Sequence, residues 1–399
     1  MERLREEVAR VLPEAIEMRR HLHSHPELSG QEFQTRDFIC EKLKEWSIPY
    51  RLCTRNTGVI ADIGQGSPCI ALRVDTDALP IAEWTNLPFS SEVPGVMHAC
   101  GHDVHTAVLL GAANVLKGRE ETLNGTVRLL FQPAEETTGG AEDMIREGCL
   151  ENPAVSAVLG FHVDPAKAPG CAAFFRGTMN AAATDFTLTV QGKGCHGAHS
   201  EQGVDAIVVA AQLITAPQSV VTRSIAPTAS GVVTIGTIRA LTPEIQEHLK
   251  DTVLRIAEGT ASAYGAAVEL RMDDLCPALI NDDALTEKMY ALARELLGPA
   301  WPSRCRSPVW ARIISPSSPI RCPGAISMWV PTPRVSPVKP FTAPPLSPMK
   351  RPWRQPCCFW QRARWPVWHN RKSHEQLLHK SNGCFFLCEK VTEDAVSLW

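Results

Sequence analysis

Four short clusters of ligand-type side chains punctuate the sequence between residues 74 and 163: Val74-Asp-Thr-Asp-Ala-Leu-Pro, His98-Ala-Cys-Gly-His-Asp-Val-His-Thr, Gln132-Pro-Ala-Glu-Glu and Gly160-Phe-His-Val. Thiolate, imidazole and carboxylate are what a borderline-soft divalent cation accepts, and Cys100-Gly101-His102 carries two such donors on one tight turn. Glu135 and Glu136 stand side by side, which suits a division of labour in which one carboxylate binds metal and the other takes a proton from water. Each residue alone has a blander reading. Cys100 reads as a small buried residue, the glutamate pair as a solvated face and His162 as a core histidine. All four clusters, however, end predicted strands, and that co-occurrence favours a metal site over separate coincidences.

Periodicity supplies the elements that must position these clusters. Glu2–Arg20 has the apolar spacing of an amphipathic helix, stopped by Pro26, and Gln31–Trp46 reads as a second helix. Thr57–Ile63, Ile70–Asp75, Thr126–Gln132 and Ala157–His162 are short apolar or β-branched runs that read as strands, with His105–Lys117 and Gly140–Glu147 as helices between them. This alternation predicts an α/β sheet with helices on both faces and ligands at the carboxyl ends of its strands. After Arg176 the pattern changes to strands at Thr184–Val190, Gly231–Ile238 and Ala267–Met272, with helices at Asp205–Leu213 and Pro243–Tyr264. That reads as a small inserted α+β domain. Ala284–Leu297 begins another helix, assigned back to the first domain.

Composition bounds the function classes. With 399 residues, 44% hydrophobic and 21% charged, the chain is ordinary for a globular protein of two or three domains. No run approaches the roughly 18 apolar residues of a membrane span. The N-terminus alternates charged with apolar residues and has no uninterrupted apolar signal core, so the expectation is a cytoplasmic protein. Its 14 cysteines are scattered without a paired framework and read as free thiols. Charge, though, is uneven. Residues 1–295 hold 39 of the 43 acidic and 25 of the 40 basic residues, whereas residues 296–399 hold 16 of the 31 prolines, 8 of the 10 tryptophans and a net charge of +11. A basic, Trp-rich tail could bind nucleic acid or a membrane surface, but its charges are dispersed rather than clustered, so neither partner is expected.

In order and wording, Arg19-Arg-His-Leu-His-Ser-His-Pro-Glu-Leu-Ser, Val96-Met-His-Ala-Cys-Gly-His-Asp and Gln132-Pro-Ala-Glu-Glu resemble subfamily D of the M20 metallopeptidase superfamily, the amidohydrolases of N-acyl amino acids, hippurate and auxin conjugates. The resemblance spans about Arg19 to Pro299. It implies a Zn-peptidase-like α/β catalytic domain (1–176, returning at 274–303) with an inserted α+β lid and dimerisation domain (177–273). It further implies a site for two divalent metals, zinc, manganese or cobalt. Cys100, His102, Glu136 and His162 are then ligands, Glu135 the general base that moves a proton from water to the leaving amine, and Asp77 the residue that orients a ligand. Asp77 reads equally well as a turn residue before Ala-Leu-Pro. Gly192-Lys-Gly-Cys-His-Gly-Ala resembles the family's lid motif, which makes His196 the substrate-contacting histidine. The substrate implied is a small N-acyl amino acid, and a homodimer through the lid is possible. Arg176 suggests no role.

Two departures from the family pattern stand out. After Gly236-Thr-Ile the chain runs straight into Arg239-Ala-Leu-Thr-Pro and lacks the glycine-rich stretch and strand that the pattern places there, so the lid is expected to lose a strand and expose an edge. From residue 304 onward no family motif is legible, and the histidine that would be a fifth ligand is missing. Reading each codon from the last base of one and the first two of the next restores the motifs. Trp310-Ala311 then forces glycine, Met328-Trp329-Val330 forces Val-Gly, and Met349-Lys350 forces glutamate, in the order of Met-Gly-x-Glu-Asp, Tyr-Val-Gly and Asp-Glu. A frameshift between about Leu297 and Val309 is the expectation. The chain as written would then be a damaged enzyme with weak turnover, or a remnant that binds metal or ligand without hydrolysis; His369, His374 and His379 could replace the lost ligand only by accident.

Overall fold

The computed structural model describes residues 2–137, 139–165, 172–297 and the backbone of 325–331. The chain opens with α1 (Glu2–Ser24), whose buried stripe of Leu4, Val8, Val11, Ala15, Met18 and Leu22 faces the core. It continues through α2 (Phe33–Glu45), β1 (Tyr50–Leu52), β2 (Val59–Gly64), β3 (Cys69–Asp75), α3 (His102–Lys117), β4 (Thr126–Gln132), α4 (Gly140–Arg146) and β5 (Val155–Asp164). Helix α3 starts three residues earlier than its apolar run predicts, because Gly101 at φ +89° turns the chain into it. That early start puts His102 in the first helical turn.

Strands β3, β4 and β5 run parallel, so their carboxyl ends open on one edge of the sheet. Side chains alternate across it. Ile70, Leu72 and Val74 join the core under α1 and α3, whereas Cys69 and Ala71 join a second cluster with Ala141 and Met144 of α4. Helices thus cover both faces, as the alternation predicts. The edge strand β6 (Ala173–Phe174) completes this side, and β7 (Gly177–Asn180) pairs with β12 (Leu279–Asn281) where the chain leaves for and returns from the insertion.

The insertion contains β8 (Ala182–Gln191), α5 (Ala206–Thr215), α6 (Val220–Ser224), β9 (Gly231–Thr234), β10 (Thr237–Ala240), α7 (Pro243–Ala263) and β11 (Ala267–Cys276). Its antiparallel sheet has the order β11-β8-β10-β9, with one face packed on α5, α6 and α7. Asp205 and Thr242 cap α5 and α7 through their side chains. One strand boundary in the insertion differs from the reading of the sequence. The run 231–238, read as one strand, is two, because Ile235-Gly236 forms a two-residue turn and Gly236 at φ +85° reverses the chain. The sheet of four strands ends on β9, a four-residue edge, at the place where the sequence reading expects an exposed edge.

Helix α8 (Asp283–Leu297) returns to the main core through Met289 and Ala293. One stretch of the tail, read from the sequence as out of frame and without family motifs, joins the main sheet. Residues 325–331 form β13 (Ala325–Pro331), parallel to β5 and antiparallel to β6. Ala-Ile-Ser-Met-Trp-Val is itself a β-prone run, so the alternation of the printed residues suffices to fill that place. The rest of the basic tail, including His369, His374 and His379, lies outside the described residues.

Candidate metal centre

The carboxyl ends of β3, β4 and β5 bring the clusters together as the α/β reading requires. Asp75 ends β3 and leads to Asp77, Gln132 ends β4 and leads to Glu135 and Glu136, His162 lies near the end of β5, and Cys100 and His102 flank the start of α3. Two donor sets overlap at His102. Ligand atoms of Cys100, His102 and His162 lie within 4.8 Å of one another, and so do those of His102, Glu135 and Glu136. Gly101 is required between the first two donors: a Cβ there would stand 2.5 Å from Val163 Cγ2.

Hydrogen bonds fix which ring nitrogen each histidine presents. His102 Nδ1 lies 2.8 Å from the Asp77 carbonyl, which can only accept, so Nδ1 carries the proton and Nε2 faces the cluster. Asp77 Oδ1 adds a second acceptor at 3.1 Å. His102 Nε2 is buried with no hydrogen bond among the described residues, 3.7 Å from Asp75 Oδ1 and 3.9 Å from Glu136 Oε1. His162 Nδ1 donates to the Val163 carbonyl at 2.7 Å, leaving Nε2 at 3.3 Å from Cys100 Sγ. Convergence of an unsatisfied imidazole nitrogen, a thiol, a second imidazole and two carboxylates fits a divalent cation.

The electrostatics agree. Burial pushes the Cys100 thiol up to about 11 and the His162 imidazole down to about 3, so without a cation both are neutral. His102 moves the other way: its burial lowers the pKa, but the Asp75 charge outweighs that and holds it well above the usual histidine value. A divalent ion held by these residues would supply the positive charge that favours a Cys100 thiolate and a His102 protonated at Nδ1 alone. Burial lifts Glu135 to about 7, with His102 opposing and the like charge of Asp75 reinforcing the rise.

Sequence reasoning missed the supporting side chains. Asp75 and His105 also lie within 4.8 Å of His102, but His105 has both nitrogens engaged, with Nδ1 on Asp75 Oδ1 at 2.5 Å and Nε2 accepting the Val163 N–H at 3.0 Å. Its role is therefore to brace Asp75 and the end of β5. Spacing gave the signal, since His102 and His105 lie three residues apart on one helical face. Behind α3, Asp103 is held low because Arg19 at 2.7 Å and His23 at 2.8 Å outweigh its burial. His98 is buried with neither ring nitrogen hydrogen-bonded among the described residues, and burial drops its pKa to about 4.

His196 is not brought to the cluster. It sits on an exposed loop after β8, where Nδ1 accepts the Ala198 N–H at 3.2 Å and the ring lies 5.9 Å from His199. Arg176 pairs with Glu287 on α8.

Residues 71–313 match peptidase family M20/M25/M40. An N-acetyl-L-cysteine deacetylase of Bacillus subtilis is 41% identical over 292 residues, covering 68% of this chain and 70% of that one. An IAA-amino acid hydrolase of Arabidopsis thaliana, ILR1-like 5, is 37% identical over 307 residues, covering 71% and 70%. Among solved structures, a Bacillus subtilis protein described as a dinuclear metal binding peptidase from the M20 family superimposes with a TM-score of 0.72 at 32% identity, covering 96% of this chain and 99% of that one.

Proposed function

This chain belongs to peptidase family M20/M25/M40, and from that premise we propose that it is a metal-dependent amidohydrolase cleaving the amide bond of an N-acyl amino acid into a carboxylate and an amine. The observation that carries the reading is the pair of donor sets sharing His102, with Glu135 beside them. Cys100, His102, Glu136 and His162 would hold two divalent ions, and a thiol donor favours zinc, manganese or cobalt over magnesium. When bound, such ions acidify a water and draw charge from the amide carbonyl. Glu135, at about 7, can both accept a proton from water and release it to the departing amine near neutral pH. Asp77 fixes the His102 ring through Nδ1. His196, exposed on its loop and not brought to the cluster of its own chain, would contact substrate across a homodimer. No helix among the described residues is long and apolar enough to cross a membrane. The cytoplasmic reading keeps to the scattered, unpaired spacing of the cysteines in the sequence, and the exposed Ile207, Val208 and Ile214 of α5 support a homodimer.

The test is a panel of N-acetyl and longer N-acyl amino acids with added zinc, manganese or cobalt, alongside metal analysis of the purified chain. Two ions per chain with amine release supports the reading. One ion or none, without hydrolysis, would assign the chain instead as a remnant that binds metal or ligand only, which the altered tail makes a definite second reading.

A further inference from the structure

The run Pro26-Glu-Leu-Ser-Gly-Gln-Glu lies outside the donor sets, yet it reaches the loop that carries Glu135. Glu32, only 1% exposed, directs Oε1 at the Ala134 N–H (2.8 Å) and the Gly30 N–H (2.9 Å), and its Oε2 accepts from the buried Thr57 hydroxyl at 2.7 Å. No ion pair to Glu32 exists among the described residues, and burial raises its pKa despite these hydrogen bonds. A carboxylate placed there at such a desolvation cost must be explained by what it holds. Ala134 sits at φ +49°, a left-handed conformation that a residue with a Cβ keeps only when its surroundings impose it. On the far side of Glu135, the Glu136 N–H donates to Asp77 Oδ2 at 2.9 Å, and the same oxygen accepts from Ser29 Oγ at 2.6 Å. The peptide N–H groups on either side of Glu135 are therefore gripped by two buried carboxylates, and both carboxylates are tied to one N-terminal loop.

We propose that Glu32 is a positioning residue for Glu135: its carboxylate imposes the left-handed turn at Ala134 that holds Glu135 facing the metal cluster. The inference rests on the reading of Glu135 as the proton carrier. It gives the Pro-Glu-Leu-Ser-Gly-Gln-Glu run a mechanical task that its own residue types, remote from the donors in sequence, do not announce.

Amide exchange of the full chain, followed on the peptide spanning 130–140, tests the clamp with or without metal. Glu32→Ala is expected to accelerate exchange of this peptide more than about tenfold, and Glu32→Gln, which keeps an acceptor oxygen, about threefold, with α3 and β4 unchanged. Exchange within about twofold of the parent, or acceleration shared equally by α3 and β4, overturns the proposal. If Glu32→Ala does not fold, Glu32→Gln is judged alone by the same two criteria. In the assay, Glu32→Ala should lower kcat about 100-fold while KM and metal content stay within about twofold, because the base is displaced and the ligands are not. An unchanged kcat overturns the proposal. Local acceleration in Glu32→Ala, where the parent hydrolyses no amide, would refute the amidohydrolase reading and leave the clamp standing.

Discussion

Gly101 offers a quantitative test of the cluster because it separates two donors at a point where no other residue fits. Gly101→Ala places a Cβ 2.5 Å from Val163 Cγ2 and forces a side chain into φ +89°. The left-handed conformation costs about 1–2 kcal/mol and overpacking another 1–3 kcal/mol, about 2–5 kcal/mol together. Gly66→Ala is the control, since Gly66 has φ +83° but nothing within 4 Å of its would-be Cβ, so it carries the conformational term alone. At about 2–4 °C per kcal/mol for a domain of this size, Gly66→Ala should lower Tm by about 2–8 °C and Gly101→Ala by about 4–20 °C. The difference has a functional consequence. Relief of the clash moves Cys100 and His102 relative to Val163 and hence to His162, so Gly101→Ala should also lose at least one equivalent of bound metal, measured by elemental analysis after dialysis. A Tm loss equal to that of Gly66→Ala together with unchanged metal content would refute the argument that the Cys-Gly-His turn is packed against β5 to set ligand geometry.

Other expectations concern single groups. Glu135→Gln keeps the shape but not the basicity of Glu135, and should reduce kcat by about 10²–10⁴ with metal retained; equal loss of metal would mark Glu135 as a ligand instead. Glu83 links pH to stability: burial would raise its pKa, but hydrogen bonds from His23, the Ser91 N–H and Thr85 outweigh burial and hold it at about 2. Its contribution, about 2–3 kcal/mol, is therefore present above its unfolded value of 4.5 and lost as pH falls from there toward 2. Glu83→Gln should flatten unfolding midpoints over that window, and identical pH profiles of parent and variant would contradict the assignment. Sequencing the coding DNA from codon 236 to codon 360 should find one base lost or gained near codon 300; if the DNA agrees with the chain as written, turnover is expected to be weak even with metal supplied.

The candidate donor residues, the place of three of their four clusters at strand ends and the α/β alternation were legible in the sequence because each depends on local pattern; the fourth cluster, expected to end a strand, opens α3 instead. A strand ends where apolar alternation ends, and a Cys-Gly-His turn declares two donors whatever folds around it. Two features of the insertion and sheet were misread for a related reason. The run 231–238 is β-branched on both sides of Gly236, so its strand-like pattern continues across the turn that splits it, and the β-prone run at 325–331 lies in a tail whose missing family motifs drew attention away from local pattern. What tertiary structure alone decided is how the donors are held. His102 is shared between two donor sets, His105 is used up by Asp75 and Val163, and Glu32 grips Ala134 across 102 residues of sequence. Those are hydrogen bonds between segments that local sequence treats as unrelated, and their strength depends on burial, which exists only once the sheet and helices have packed.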